Sequence, residues 1–246
     1  MKKVILYVVL ISISPHSVVA ENVNPSAEFD GLWQVIPTPP PFGRRQGMRD
    51  REGRQLGFDA DEQGLTRADQ MVRSIMTDEG RNEFDKFDPL KLPANNCLSP
   101  GLPSIVMTPY LQLWSYDDGT LSITHEYFST ERKIYFDSPR EANQPSSASG
   151  FAAALFEGED LVITTKAFTP VWGGLSRNAP SSDARIVIER YRLSTDKQMI
   201  EGQLTIKDEK FLTRDLNLSV RLRRAEPGTE LVLFPCDLDA TRRHLD

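Results

Sequence analysis

From about residue 104 onward, apolar and polar residues alternate along the chain, a pattern typical of strands with one buried face. In the clearest case, the segment 216–223, every even-numbered residue is Leu or Val and every odd-numbered residue is polar or charged. Further strands are predicted at 104–108, 111–116, 120–128, 132–137, 160–166, 184–193, 199–206 and 230–235. Tight turns are expected at 117–119 and 157–160, where Asp, Glu and Gly separate the apolar runs. Successive strands without intervening helices predict a mainly β fold, either an antiparallel barrel or a sandwich.

Helical spacing of apolar residues occurs only between residues 66 and 87. Thr66 is followed three residues later by Asp69, which is typical of a capped helix start. An apolar stripe at helical spacing follows, formed by Met71, Val72, Ile75 and Met76. Thr77 restarts the pattern, and Pro89 ends it. We therefore predict a short helical lead-in before the barrel.

The N-terminus has the pattern of a secretory signal peptide. Lys2 and Lys3 precede an almost wholly apolar run, and small residues follow up to Ala20. The apolar run of about ten residues is too short to span a bilayer as a helix, although an N-terminal membrane anchor is the alternative. No later segment is long and apolar enough for a membrane span. We expect a periplasmic or secreted protein.

The remaining chain divides by composition. Five arginines stand among many prolines and glycines in residues 37–64, which favours a flexible loop. The predicted segments are a signal peptide (1–20), an N-terminal strand segment (21–36), the Pro/Gly/Arg-rich loop (37–64), short helices (65–92), the β-barrel (93–238) and a tail (239–246).

The overall composition is that of an ordinary globular protein. The 246 residues carry 29 Lys and Arg against 35 Asp and Glu, so the formal net charge is −6. Nucleic-acid binders usually need a basic face, so we expect no nucleic-acid partner. The composition says nothing about the oligomeric state.

The two cysteines, Cys97 and Cys236, suit an oxidising compartment, where a disulfide is favoured. Such a bond would close a loop of about 140 residues and stabilise the fold by about 4–5 kcal/mol. We expect it to join the entrance of the barrel to its last strand. Two free thiols are the alternative.

Most common catalytic centres can be excluded. The chain has no Gly-x-Ser-x-Gly nucleophile motif, no His-Glu-x-x-His zinc helix and no Gly-rich phosphate loop. Only His125 and His244 follow the signal segment, and His244 lies in the C-terminal tail. We therefore expect no metal and no cofactor.

A polar constellation around His125 and Glu126 is the remaining candidate site. These neighbours on one strand point to opposite faces, so only one of them can face the barrel interior. The sequence leaves open which of the two does so. Our hypothesis for the site places Glu126 inside, where it pairs with Arg132 across the following turn while Tyr135 adds a hydroxyl. A structural ion pair is the alternative. The catalytic candidates are Glu126, His125 and Tyr135, and the expected ligand-binding residues are Glu126, Arg132, Tyr135, Trp114 and Trp172.

Several short motifs, in a fixed order, are familiar. They are Thr77–Arg81, Phe87–Pro89, Asn96–Pro103, Met107–Tyr110, Arg132–Asp137, Phe156–Ile163 and Glu189–Tyr191. Together they resemble a widespread family of secreted bacterial proteins of uncharacterised function, which have lipocalin-like barrels. The resemblance covers most of the chain from Phe29 to Cys236. It implies an antiparallel calycin-type barrel of about eight or nine strands with a short helical N-terminal lead-in, and it implies no established reaction.

The chain departs from that family at one point. Its members usually carry a Gly-His-Ser-x-Gly-like stretch before a Trp-Glu-Gly-Asp turn, whereas this chain has Gly150–Ala154 and then Phe156. This more apolar stretch favours binding of an apolar ligand over hydrolysis.

We expect an exported periplasmic barrel protein that binds a small hydrophobic molecule in its interior. An alternative is an isomerase, lyase or cyclase that acts on a hydrophobic carbonyl or phenolic compound, with an interior carboxylate as general base. A third reading is a structural protein of the cell envelope with a packed barrel. A desolvated carboxylate in a cavity would distinguish the enzyme from the binding protein.

Overall fold

Nine strands form one closed barrel in the computed structural model, which describes residues 25–37, 66–136, 145–233 and 235–243. Each strand pairs with the next one along the chain, and the last strand pairs with the first. The strands are β1 (Gly31–Ile36), β2 (Leu111–Asp117), β3 (Thr120–His125), β4 (Thr130–Phe136), β5 (Phe151–Glu157), β6 (Asp160–Lys166), β7 (Ile186–Leu193), β8 (Met199–Lys207) and β9 (Leu216–Arg224).

One pair of strands corrects the expectation of an antiparallel barrel. β4 and β5 are parallel, with Ile134 opposite Ala152, whereas the other neighbouring pairs are antiparallel. A parallel pair needs a long connection that returns the chain to the starting end of the first strand. The residues between Phe136 and Phe151 are numerous enough to provide that connection. The barrel is therefore mixed.

The alternating residues face inward and outward as their pattern predicts. The apolar residues of β3 and of β9 that alternate with polar ones point inward, and Leu121, Ile123, Val220 and Leu222 are buried. Several large side chains point into the interior. The bulkiest of these buried residues include Trp33, Trp114 and Tyr191.

One end of the barrel, which we call the capped end, is the end at which β3, β6 and β8 finish. The helix α3 (Ser104–Met107) and the segment 167–185 between β6 and β7 cover this end. Two further helices, α1 (Arg67–Ser74) and α2 (Asp78–Phe84), also lie here, because Met76 pairs with Leu212 in the β8–β9 connection. The opposite end carries short turns such as Asp118–Gly119.

The predicted helix starts are confirmed. Thr66 accepts a hydrogen bond from the Asp69 N–H, and the Asp69 carboxylate accepts one from the Thr66 N–H, which completes a capping box. Thr77 caps α2 by accepting from the N–H of Gly80. Short 3₁₀ helices follow at Pro89–Lys91 and Pro93–Asn96.

Three strand predictions are wrong. The segment 104–108 contains the helix α3, and the residues described in 230–235 form no strand. The alternation at 120–128 ends at His125, because Tyr127–Ser129 form a 3₁₀ turn in which Phe128 has a φ of 56°. The strand β5 was not predicted, since three consecutive alanines hide the period of two.

The N-terminal strand segment contributes to the barrel itself. β1 lies between β2 and β9, with Trp33 opposite both Gln112 and Arg224. The predicted strand around Phe29–Val35 therefore exists, and it closes the barrel.

The expected disulfide forms between Cys97 and Cys236, whose Cα atoms are 5.6 Å apart. It does not reach the last strand, since Cys236 lies beyond β9. It joins the 3₁₀ turn at 93–96 to the C-terminal helix α4 (Leu238–Arg242), where the Arg242 Nε–H donates to the carbonyl of Asn95 at 3.1 Å. A helix thus occupies part of the segment predicted as a tail.

Three predictions fall on residues beyond the described ranges: the signal peptide at 1–20, nearly all of the loop at 37–64 and the tail residue His244. Within the described ranges, no helix has both the length and the apolar character that crossing a bilayer requires.

Candidate functional site

A buried ion pair crosses the barrel interior. The Arg132 guanidinium on β4 contacts both carboxylate oxygens of Glu189 on β7, at 3.2 Å from Nη1 and 2.6 Å from Nη2. The Tyr191 hydroxyl donates to Glu189 Oε1 at 2.7 Å. Both carboxylate oxygens therefore have charged or polar partners, which a buried charge requires.

The electrostatics of this cluster favour charged Arg132 and neutral Tyr191. Burial lowers the pKa of Arg132, but the charge and hydrogen bonds of Glu189 outweigh burial, so the net shift is upward. Burial and then the nearby Glu189 carboxylate raise the pKa of Tyr191 well above its usual value. Tyr191 therefore stays a hydrogen-bond donor across the whole neutral range.

His125 is the inward member of the His125–Glu126 pair. It is the last residue of β3 and is 1% exposed, yet neither ring nitrogen has a hydrogen-bond partner. Its cross-strand neighbour Gln112 is already engaged, because its amide donates to the Val106 carbonyl and accepts from the Trp114 indole. Burial, and next the charge of Arg132, lower the pKa of His125 to about 3. The ring is therefore neutral at neutral pH, with one donor and one acceptor available.

Two further buried residues carry unpartnered polar atoms, namely Oγ1 of Thr165 and both Nε and Nη2 of Arg185. Among the described residues, these atoms and the His125 nitrogens are the buried side-chain N and O atoms without a partner. His125 ends β3, Thr165 lies one residue before the end of β6, and Arg185 directly precedes β7. All three therefore lie at the capped end. Native proteins leave few buried polar groups unpaired, so these three residues at one end call for an explanation.

The surroundings of Arg185 leave one edge of its guanidinium available. Nη1 donates to the carbonyls of Leu102 and Gly174, each at 2.9 Å. The Cζ atom lies 3.9 Å from the centre of the Phe168 ring. Burial lowers the pKa of Arg185 to about 10, and the Asp208 carboxylate acts in the opposite direction. Arg185 nevertheless remains charged at neutral pH.

Two buried carboxylates fix the segment 167–185 over the capped end. Asp69 of α1 accepts hydrogen bonds from the Ser176 hydroxyl at 2.5 Å and from the backbone and side-chain N–H groups of Asn178 at 3.0 and 2.9 Å. Asp208 accepts from the backbone N–H and hydroxyl of Ser182 at 2.7 and 2.6 Å. The cap is therefore built from polar bonds to the helices and to the β8–β9 connection.

Glu126 does not take the position predicted for it. It follows β3 and its Oε2 accepts from the Leu111 N–H at 3.2 Å, while the partner of Arg132 is Glu189. The reason is parity, because His125 occupies the inward position and the strand ends there. The hypothesis of an interior Glu126–Arg132 pair is therefore wrong.

Tyr135 also lies outside the interior. It belongs to the outward-facing residues of β4, and its ring stacks on Phe151 with 5.5 Å between ring centres. It borders a shallow surface hollow of about 340 Å³, together with Asp117, Asp118 and Lys133. A second surface hollow, of about 390 Å³, lies beside the β8–β9 connection.

The two predicted tryptophans lie in different places. Trp114 is buried in the barrel, with its ring edge-on to Tyr191 at 5.2 Å. Trp172 lies in the cap, and the centre of its ring is 5.5 Å from the centre of the Phe87 ring. Trp114 therefore belongs to the interior wall, and Trp172 to the cap.

Sequence reasoning missed Glu189, Thr165 and Arg185. Glu189 carries a usable signal, since a charged residue stands on the apolar face of β7 between Val187 and Tyr191. Thr165 and Arg185 give no such signal, because both lie at strand ends where polar residues are common.

Comparisons of the chain with family models, with curated proteins and with solved structures find no match, so the site rests on its own geometry.

Proposed function

We propose that this protein is an exported, lipocalin-like barrel that binds one small, mainly apolar molecule at the capped end of its interior. The observation that carries the proposal is His125, a fully buried ring with two unpartnered nitrogens. Leaving a buried polar group unsatisfied costs about 1–3 kcal/mol, and a bound partner group would remove that cost. A guest with a hydroxyl or carbonyl group would satisfy His125.

The surroundings of His125 suit such a guest. Small-molecule sites are mainly apolar and contain a few polar groups that fix orientation. Next to His125 along the interior lie the buried Ile123 and, opposite it, Trp114. Farther along the barrel, small side chains occupy the inward positions Ala152 and Ala154. The cap over this end is held by hydrogen bonds to Asp69 and Asp208 and by buried apolar residues such as Phe168 and Leu175.

The enzymatic alternative has less support. A general base works best with a pKa near the working pH, whereas burial and Arg132 lower the pKa of His125 to about 3. The interior carboxylate, Glu189, has both oxygens bonded to Arg132, and Tyr191 adds a further bond. Neither group is placed to accept a proton from a substrate.

Native mass spectrometry of protein purified from the organism that produces it tests the proposal. We expect a retained small molecule on the wild-type chain and its loss in His125→Leu, which removes both nitrogens at similar side-chain volume. Tyr135→Phe is the matched control, because Tyr135 faces outward, and it should keep the molecule. A wild-type protein without any retained molecule, or retention that His125→Leu leaves unchanged, would contradict the proposal.

A further inference from the structure

The unpartnered edge of Arg185 has a specific shape. The Nε–H and one N–H of Nη2 point in the same direction, and together they form the side of a guanidinium that binds the two oxygens of a carboxylate. Both of these nitrogens lack a partner, whereas Nη1 is fully used by the carbonyls of Leu102 and Gly174. Arg185 is 1% exposed, so this edge faces the protein interior and not solvent.

A third unpartnered donor, the Thr165 hydroxyl, belongs to a residue that borders the same aromatic ring as Arg185. The Cγ2 atom of Thr165 and the Cε1 atom of Phe168 each lie 2.8 Å from the position that a Cβ on Gly150 would take, so these two side chains are close neighbours. Arg185 lies over the same Phe168 ring. The unpartnered Thr165 hydroxyl and the unpartnered guanidinium edge therefore border one aromatic ring.

Gly150 explains how these groups come together. It has a φ of +68°, and a side chain at this position would collide with Phe168, with Thr165 and with the carbonyl of Lys166. Only glycine adopts this conformation readily and lets Phe168 and Thr165 pack this close to the backbone.

No carboxylate of the described chain binds this edge. Asp208 is the carboxylate whose charge acts on Arg185, but it already accepts hydrogen bonds from Ser182 and from the Phe211 N–H. Glu189 is committed to Arg132. A buried cation without a paired anion is strongly unfavourable, and an anion from outside the chain would remove that penalty.

We infer that Arg185 and Thr165 form the binding site for a carboxylate group, and that the guest of the barrel is a small monocarboxylate with an apolar body. The inference rests on the proposed function and narrows it to a ligand class. The carboxylate pairs with the Nε and Nη2 edge of Arg185 and accepts from the Thr165 hydroxyl. The apolar body extends toward His125 and the interior wall.

The test compares octanoate with 1-octanol by isothermal titration calorimetry, because the two differ only in their polar group. We expect octanoate to bind the wild-type protein at least about 10-fold more tightly than 1-octanol, as a charge-assisted bidentate contact implies. Arg185→Met should remove that preference, so that octanoate binds no more tightly than 1-octanol. Arg221→Met, at an exposed position on β9, is the matched control and should keep the preference.

Two milder variants keep the inference testable if Arg185→Met does not fold, which circular dichroism shows. Arg185→Lys keeps the charge but loses the bidentate Nε and Nη2 edge, and should lower the affinity for octanoate by about 10-fold. Thr165→Val keeps the side-chain shape but loses the hydroxyl, and should lower the affinity for octanoate by about 5-fold.

Other outcomes would overturn the inference. Equal binding of octanoate and 1-octanol, or an intact preference in folded Arg185 variants, would show that the barrel does not select a carboxylate, while the proposed function stands. Acetate or inorganic phosphate that binds as tightly as octanoate would show a site for small free anions. If neither octanoate nor 1-octanol binds, the molecule retained in native mass spectrometry decides. A retained carboxylate supports the inference, and a retained molecule without a carboxylate overturns the inference alone. If no molecule is retained, the proposed function is overturned as well.

Discussion

Two buried arginines, Arg132 in the barrel centre and Arg185 at the capped end, differ in how their charge is balanced. Arg132 has both oxygens of Glu189 as partners, and Tyr191 completes the cluster. Arg185 has two carbonyls and an aromatic ring, while two of its nitrogens lack partners. The central region is therefore satisfied by the chain itself, and the capped end is not.

This difference shows how to separate structural from functional buried charge. A buried ion pair whose members satisfy each other is a structural feature of the interior. Replacing both members with apolar residues often leaves stability unchanged. Buried polar groups without partners lower stability. Their location at the capped end supports the binding site proposed there.

The largest expected effect is on the central pair. Glu189→Leu should lower the free energy of unfolding by about 3–5 kcal/mol, because it leaves Arg132 charged, buried and unpaired. The double variant Arg132→Met/Glu189→Leu should recover most of that loss. Urea unfolding monitored by circular dichroism measures both, and a double variant as unstable as the single one would contradict a purely structural role.

The next effect is a pH dependence that arises from His125. Its pKa is about 6.5 in an unfolded chain and about 3 in the folded protein, because of burial and Arg132. As pH falls below 6.5, the unfolded chain takes up a proton that the folded protein refuses, so stability falls between pH 6.5 and pH 3. The contribution amounts to about 3 kcal/mol between pH 7 and pH 4.

His125→Leu isolates this contribution. The variant should be more stable than the wild type at pH 7 by about 1 kcal/mol, and the gap should widen toward pH 4. Urea unfolding midpoints at several pH values provide the measurement. Parallel pH profiles of the two proteins would show that His125 is not buried and neutral.

A smaller change in the free energy of unfolding is expected when Arg185 at the capped end is replaced. Arg185→Met removes two hydrogen bonds to carbonyls, but it also removes an unpaired buried cation, so these two terms oppose each other. The free energy of unfolding should change by less than about 2 kcal/mol, clearly less than for Glu189→Leu. A loss as large as that of Glu189→Leu would mean that Arg185 is balanced by the chain, and the contrast between the two arginines would disappear.

The smallest effect is expected for Glu126→Gln. The amide oxygen can still accept from the Leu111 N–H, so stability should change by less than about 0.5 kcal/mol and the retained molecule should remain bound. Loss of the retained molecule in this variant would show that Glu126 contributes to the binding site.

Local sequence patterns predicted the elements whose cause is local. The capping box at Thr66–Asp69 and the inward face of β9 follow from neighbours within a few positions. The opposite orientation of His125 and Glu126 also followed from parity. The same alternation indicates which of the two faces inward, because His125 shares its face of β3 with the buried Leu121 and Ile123.

The pairing of charged groups was not predictable in the same way. Arg132 and Glu189 lie 57 residues apart and meet across the interior, so their contact depends on the closure and stagger of the whole barrel. The free edge of Arg185 depends on the path of the cap, which Asp69 and Asp208 hold from distant parts of the chain. Neither arrangement leaves a short motif.

Closure of the barrel by β1 has a consequence for the order of folding. Gln34 of β1 contacts Arg223 of β9, 189 residues away, so the seam forms between the first and last strands of the barrel. Contacts between distant residues form slowly, because the entropy of a long loop is lost before the contact is made. A late intermediate is therefore expected in which β2 to β9 are paired in sequence while the edges of β2 and β9 are open. Those edges can add a strand from a second chain, so the risk of misassembly is concentrated in this final step.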